Sequence, residues 1–287
     1  MFFSSIRSRK LNVRCIEIIM IEKQQLEYPI KLWSLVLILT LTNFYIGTQA
    51  SAQSLDYIKE TQLSQSGGNS TPSVSAAELF HRAYENRYTW DRQFPGYMAA
   101  VEVKQGKENY KGRVRVNPDL SVEVIGIQDK DVRQLVENQL GMIAVHRRRV
   151  PFEAAHKSGT FQMGGTSETG TVEIIKQGGE PARYKIADNQ IKQVNRILGS
   201  HAVTVDTLDT KVTPAGYLAT RYRTLFRQPD SGQVLFEEES EDTYEKVGNY
   251  YVLSRQVINN IEKGQRTNAE LNFTDFQLLS PKAAKDS

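Results

Sequence analysis

From Ala76 onward the chain moves between two hydrophobic periods. Ala76, Phe80, Ala83 and Tyr84 recur at helical spacing, which predicts one apolar stripe on a helix running to about Tyr88. Ser75 and Glu78 supply an S-x-x-E capping box at its start, with Val74 and Leu79 at the staple positions. Beyond Phe94-Pro95-Gly96 the period becomes two. In "YKGRVRV", Tyr110, Gly112, Val114 and Val116 share one face while Lys111, Arg113 and Arg115 share the other. "YMAAVEV" before this run, and "SVEVIGI" after the Asn117-Pro118-Asp119 turn, complete an antiparallel three-strand meander. A second helix follows the plausible N-cap Asp129, with Val132, Leu135, Val136, Leu140, Ile143 and Ala144 on one side. It has to stop before Val150, because Pro151 disfavours helical geometry in the residue ahead of it.

From Phe152 to Leu279 nearly all segments alternate, among them "TVEIIKQ", "RYKIAD", "HAVTVDTL", "GYLATRYRTLFR" and "YYVLSRQVI", and turn signals separate them. With the meander this makes about ten to twelve strands, more than a flat open sheet accommodates. The predicted fold is α+β and mainly antiparallel β: a curved sheet or incomplete β-barrel lidded by two amphipathic helices.

The chain ahead of Ala76 has another character. Lys31 precedes an apolar run from Leu32 to about Gly47, followed by Ala50-Ser51-Ala52, the small-x-small pattern of a signal-peptidase site. Residues 1–52 are therefore expected to be a leader cleaved after Ala52, with Met20 a plausible alternative start and residues 1–19 excess; an uncleaved anchor is the alternative. Residues 53–73 are small and polar and read as a flexible tether, residues 74–280 as one half-barrel domain, and 281–287 as a tail. This implies export to a periplasm or thylakoid lumen, with no stable membrane span after cleavage.

Removal of the leader changes charge and redox chemistry. Six of the 36 Lys and Arg and three of the 33 acids lie in residues 1–52, leaving 30 of each, so the formal +3 gives no argument for nucleic acid. The single cysteine, Cys15, departs with the leader, which removes disulfides, thiol catalysis and cysteine metal sites from the mature chain.

Candidate chemistry is sparse. His81, His146, His156 and His201 show no metal-ligand spacing, and neither a G-x-S-x-G nor a phosphate loop occurs, so no catalytic residue, metal or cofactor is expected. A cryptic enzyme built on His146 or His156 is the least favoured alternative. Carboxylates crowd only into "FEEESEDTYE". A hairpin loop at Asp230-Ser231-Gly232 would set Arg223 opposite Glu239 and Arg221 opposite Glu241, an ion-pair ladder in water. The other face of that hairpin would then carry Tyr222, Phe226, Phe236 and Tyr244 as an aromatic lining. Between the first helix and strand, Phe80, Tyr84, Trp90, Phe94 and Tyr97 crowd a Pro-Gly bend. Two readings are open for these aromatics: contact with an apolar guest at the barrel mouth, or packing of the lid on a dry core. "HRRR" at the end of the second helix reads either as cations at a helix C-terminus or, through Arg147, Arg148 and Arg149, as a surface for an anionic membrane or partner.

The strings "AAELFHRAYENRYTWDRQFPGYMAAVEV", "NQLGMIAVHRRRVPFE" and "EDTYEKVGNYYVLSRQVI" resemble domain of unknown function 3386, a family of photosynthetic bacteria and plants. The resemblance spans roughly Ala76 to Leu279 and implies no activity. The order of elements is also similar to the periplasmic lipoprotein-carrier fold (LolA and LolB type), which implies an unclosed barrel carrying acyl chains. The expected function is an exported non-enzymatic protein that binds an apolar ligand or lipid acyl chain. The alternative is a protein-interaction module whose barrel is filled.

Overall fold

A computed structural model of the protein describes residues 74–280. The leader, the tether and the tail lie outside the described residues. Helix α1 spans Ala76–Glu85, α2 Lys130–Arg147 and the single turn α3 Phe152–Ala155. Twelve strands form one antiparallel sheet: β1 Tyr97–Gln105, β2 Glu108–Val116, β3 Val122–Ile125, β4 Thr160–Thr166, β5 Val172–Gln177, β6 Ala182–Ala187, β7 Gln190–Leu198, β8 His201–Thr213, β9 Gly216–Arg227, β10 Val234–Val247, β11 Tyr250–Glu262 and β12 Gln265–Leu278. Their spatial order is β3-β2-β1-β12-β11-β10-β9-β8-β7-β6-β5-β4. The ladder never pairs β3 with β4, so the curved sheet stays an unclosed barrel.

Local sequence explains the helix ends. Ser75 Oγ accepts the Glu78 N–H at 3.2 Å, and Asp129 caps α2 through the N–H groups of Asp131 and Val132, each at 3.0 Å. Helix α1 ends at Glu85, three residues earlier than its apolar spacing suggests, with the Asn86 N–H closing on Arg82 O. The reason is a competing partner: the chain after Glu85 joins the β8–β9 turn, where Tyr217 N–H donates to Asn86 O and Tyr88 N–H to Tyr217 O, both at 2.9 Å.

Gly216 makes that junction possible. Its φ is +116°, and a Cβ there would meet Asn86 O at 2.5 Å and the Tyr88 nitrogen at 2.8 Å. Gly216→Ala is expected to destabilise the protein by about 2 kcal/mol or more, measured by urea unfolding.

Helix α2 lies mainly on β2 and β3, and α1 on β4, β6 and β7. Most buried apolar side chains among the described residues fall into three clusters. The largest joins α2 through Val136 and Leu140 to Tyr97, Val101, Val114, Leu253 and Leu271. A second seats Ala76, Phe80 and Ala83 of α1 on Ile174, Tyr184 and Ile186. The third, Val203, Phe226 and Phe236, lies beside the β9–β10 hairpin.

The hairpin has the expected register: Arg223 faces Glu239, Arg221 faces Glu241 and Phe226 faces Phe236. The ion pairs, however, differ from those of the hairpin register. Arg221 Nε reaches Glu239 diagonally at 2.7 Å, while Arg223 Nη2 bonds Asp206, its direct partner on β8, at 2.9 Å. Strand twist brings a diagonal neighbour such as Glu239 within reach of a long side chain.

Candidate functional site

The aromatic residues singled out in the sequence do not converge on one point. Phe80 is 1% exposed and packs on Tyr184 at a centroid distance of 4.2 Å, while Tyr84 meets Phe152 and His156. Trp90, Phe94 and Tyr97 belong to the largest cluster. The Trp90 and Phe94 rings stack at 4.0 Å with 10° between planes, and Trp90 Nε1 donates to Tyr251 O at 3.0 Å. The Trp90 N–H donates to Arg147 O at 2.7 Å, tying the bend to the end of α2. Phe226 and Phe236 form the third cluster, their rings 5.7 Å apart. Tyr222, and Tyr244 at the margin of the largest cluster, bond instead to buried polar groups.

On the inward face of β10 the side chains run Phe236, Glu238, Ser240, Asp242 and Tyr244, and all five are buried. The aromatic lining expected for this face is thus interrupted by two carboxyls and a hydroxyl. Strand pairing sets Asn260 opposite Glu238 and Gln256 opposite Asp242 on β11, and Tyr222 opposite Ser240 on β9.

These groups form a connected string. Arg147 Nη2 donates to Tyr244 Oη at 2.8 Å, and Tyr244 Oη donates to Asp242 Oδ2 at 2.9 Å. Gln256 Nε2 donates to Asp242 Oδ1 at 2.9 Å and to Tyr222 Oη at 3.2 Å. Ser240 Oγ extends the string to Glu238 Oε1 at 3.5 Å, a weak contact. Arg147 Nε, Gln256 Oε1 and Asn260 Oδ1 are buried with no hydrogen-bond partner in the structure. Polar capacity is therefore left over inside the barrel, available to a polar group of a guest or to water.

Burial dominates the electrostatics of this string. It pushes the Glu238 carboxyl up to about 7, with only the Ser240 hydroxyl opposing the shift. Asp242 rises to about 6 by the same cause, held lower by its bonds from Gln256 and Tyr244 and by the Arg147 charge. The hydroxyls of Tyr222 and Tyr244 are pushed well above the usual phenol range, first by burial and then by Asp242.

Arg147 corrects the expectation of a continuous basic surface at residues 146–149. It is 7% exposed and turned inward, where its guanidinium bonds the Tyr244 hydroxyl and its charge acts on the buried Asp242. Only Arg148 and Arg149 of the three arginines remain toward solvent, half-buried and exposed respectively. The sequence did carry a signal for the string: in "FEEESEDTY" every second residue from Phe236 to Tyr244 is an inward position. The ion-pair ladder accounts only for Glu239 and Glu241, and Glu238 and Asp242 alternate with them on the other face.

Among the described residues no group of three or more His, Cys, Asp or Glu is placed to hold a metal ion. His81 stacks on Phe152 at 4.5 Å, and His201 lies edge-on to Phe226 at 6.4 Å. None of the described helices is long and apolar enough to cross a membrane.

No curated protein matches the chain. Similar solved structures include an outer membrane lipoprotein-sorting protein domain from Vibrio parahaemolyticus, 7% identical, covering 74% of this chain and 95% of that one with a TM-score of 0.26. A DUF1329 family protein from Desulfovibrio piger is 7% identical over 74% of this chain and 93% of that one, with a TM-score of 0.22. The MucA/MucB complex of Pseudomonas aeruginosa gives 9% identity, 71% and 99% coverage and a TM-score of 0.19. A family model described as a protein of unknown function (DUF3386) matches residues 71–279, and the chain belongs to that family.

Proposed function

We propose that the protein is an exported, non-enzymatic binding protein whose half-barrel receives the apolar chain of a guest, a lipid or the acyl part of a lipidated protein. The observation that carries this reading is the division of the interior. Along the inward face of β10 the buried polar residues Glu238, Ser240 and Asp242 lie between Phe236 of the third apolar cluster and Tyr244 of the largest one. A single close-packed core gains most from leaving no seams and no buried carboxyls. An interior built to take an amphiphile needs both features: apolar walls for the chain, and unpaired polar atoms for its polar end. Export rests on the apolar run and the Ala50-Ser51-Ala52 pattern of the leader.

A second reading, a module that recruits a protein by strand addition, is favoured by the sheet edge at β4. This strand pairs only with β5, and Met163 on it is 49% exposed. Purified mature protein, weighed under native conditions and then extracted with organic solvent, separates the two. The binding-protein reading expects mass above that of the polypeptide and an apolar molecule in the extract. A bare polypeptide that also fails to bind added dodecanol would leave only the interaction module.

A further inference from the structure

Where the chain leaves α1, the residues after α2, the β8–β9 turn and the β10–β11 turn meet around an open cleft of about 240 Å³. At roughly 30 Å³ per liquid water, it has room for about eight waters or a head group of similar size. Its wall includes Tyr84, Tyr88 and Tyr250, and its charged lining is Arg87, Arg149, Glu85 and Asp91.

The tyrosines are fixed. Tyr84 Oη donates to Val150 O at 3.1 Å, Tyr88 Oη accepts the Tyr251 N–H at 2.8 Å, and Tyr250 Oη donates to Asp91 Oδ1 at 3.1 Å. The two acids are already engaged. Asp91 Oδ1 also accepts the Gln93 N–H at 2.9 Å, and Glu85 Oε1 accepts the Phe152 N–H at 3.3 Å. The two arginines keep donor groups unused. Arg87 lies with its guanidinium carbon 3.8 Å over the Tyr84 ring and its Nε donating to Tyr84 O, which orients the fork without using its two Nη groups. Neither Arg87 nor the exposed Arg149 has a carboxylate at ion-pair distance among the described residues.

Two guanidiniums without anionic partners among the described residues, Arg87 oriented on the Tyr84 ring and Arg149 exposed, give the cleft a donor-rich wall. Planar guanidinium forks match the oxygens of a phosphate or carboxylate, and fixed walls reduce the ordering cost of binding. We propose that this cleft is an oxyanion site that holds a phosphate-type group with Arg87 and Arg149. The oxyanion has two sources with the same chemistry, free inorganic phosphate or the phosphate head of a single-chain amphiphile. In the second case the site deepens the apolar-guest reading, and in the first it stands independently of it.

Calorimetric titration with inorganic phosphate, with dodecyl phosphate below its micelle concentration, and with dodecanol separates these cases. One-site binding of at least one phosphate compound is expected, about tenfold weaker in each of Arg87→Gln and Arg149→Gln and weaker with added salt. Binding of inorganic phosphate assigns the free ion, and binding of dodecyl phosphate alone assigns the amphiphile head. Failure of both phosphates to bind overturns the site. Dodecyl phosphate and dodecanol that bind alike to wild type and both variants also overturn it, while leaving the apolar-guest reading standing. Arginine-dependent phosphate binding with no dodecanol binding supports the site and counts against that reading. Arg149 is exposed, so Arg149→Gln keeps the test decisive if Arg87→Gln loses the Tyr84 contact and unfolds.

Discussion

Replacing Glu238 by Gln is expected to raise the stability of the protein at pH 8 by about 3 kcal/mol. The carboxyl is 8% exposed, and burial lifts it from its ordinary 4.5 to about 7. A group that holds its proton more tightly when folded favours folding fully below its unfolded value. That contribution fades as pH rises through the folded value. For Glu238 the loss therefore runs from about pH 4.5 to about pH 7, and above pH 7 the folded state holds an ionised carboxylate in a poorly solvated site. Asp242, lifted from 3.8 to about 6, adds a loss of the same sign at lower pH. Urea unfolding at pH 5 and pH 8 checks the account. Wild type should be markedly less stable at pH 8, and Glu238→Gln should flatten much of that slope. An unchanged slope in the variant would show that Glu238 titrates as if in water.

Trp90→Ala is expected to cost about 3–5 kcal/mol in the same measurement. Trp90 is 3% exposed, stacks on Phe94, meets Tyr97 edge-on at 6.5 Å and gives its indole N–H to Tyr251 O. The substitution opens a cavity in the largest cluster and leaves the Tyr251 carbonyl without that donor. Its backbone N–H to Arg147 O is retained in the variant, so the cost reports the ring and its indole N–H. A cost below about 1 kcal/mol would mean that the ring faces a yielding space rather than packed neighbours.

Much of this architecture was legible because each element obeys one period. The stripe Ala76, Phe80, Ala83 and Tyr84 and the caps Ser75 and Asp129 specify the helices by local chemistry. The inward and outward sets of the β9–β10 hairpin follow from the register alone. What escaped was decided by tertiary partners. Helix α1 ends early because Asn86 bonds Tyr217, more than a hundred residues away in sequence. Arg147 looks like another C-terminal helix cation until Tyr244 and Asp242 arrive from β10. Glu238 and Asp242 alternate with Phe236 and Tyr244, so their inward placement was readable. Their carboxyls weighed against it, because acids are seldom fully buried unless paired. The cleft at Arg87 and Arg149 is assembled from four separate chain segments, and no local pattern announces such a site.

The central claim, an apolar chain held against the inward face of the half-barrel, is tested most directly by photolabelling the purified protein with a diazirine-bearing fatty acid and mapping the labelled peptides by mass. The account predicts saturable labelling at inward side chains such as Val203, Phe226 and Phe236, located to single residues by fragmentation of the labelled peptides and reduced by excess unlabelled fatty acid. Labelling confined to outward positions such as Leu208, Val212 or Met163, or labelling that excess fatty acid does not reduce, would contradict it.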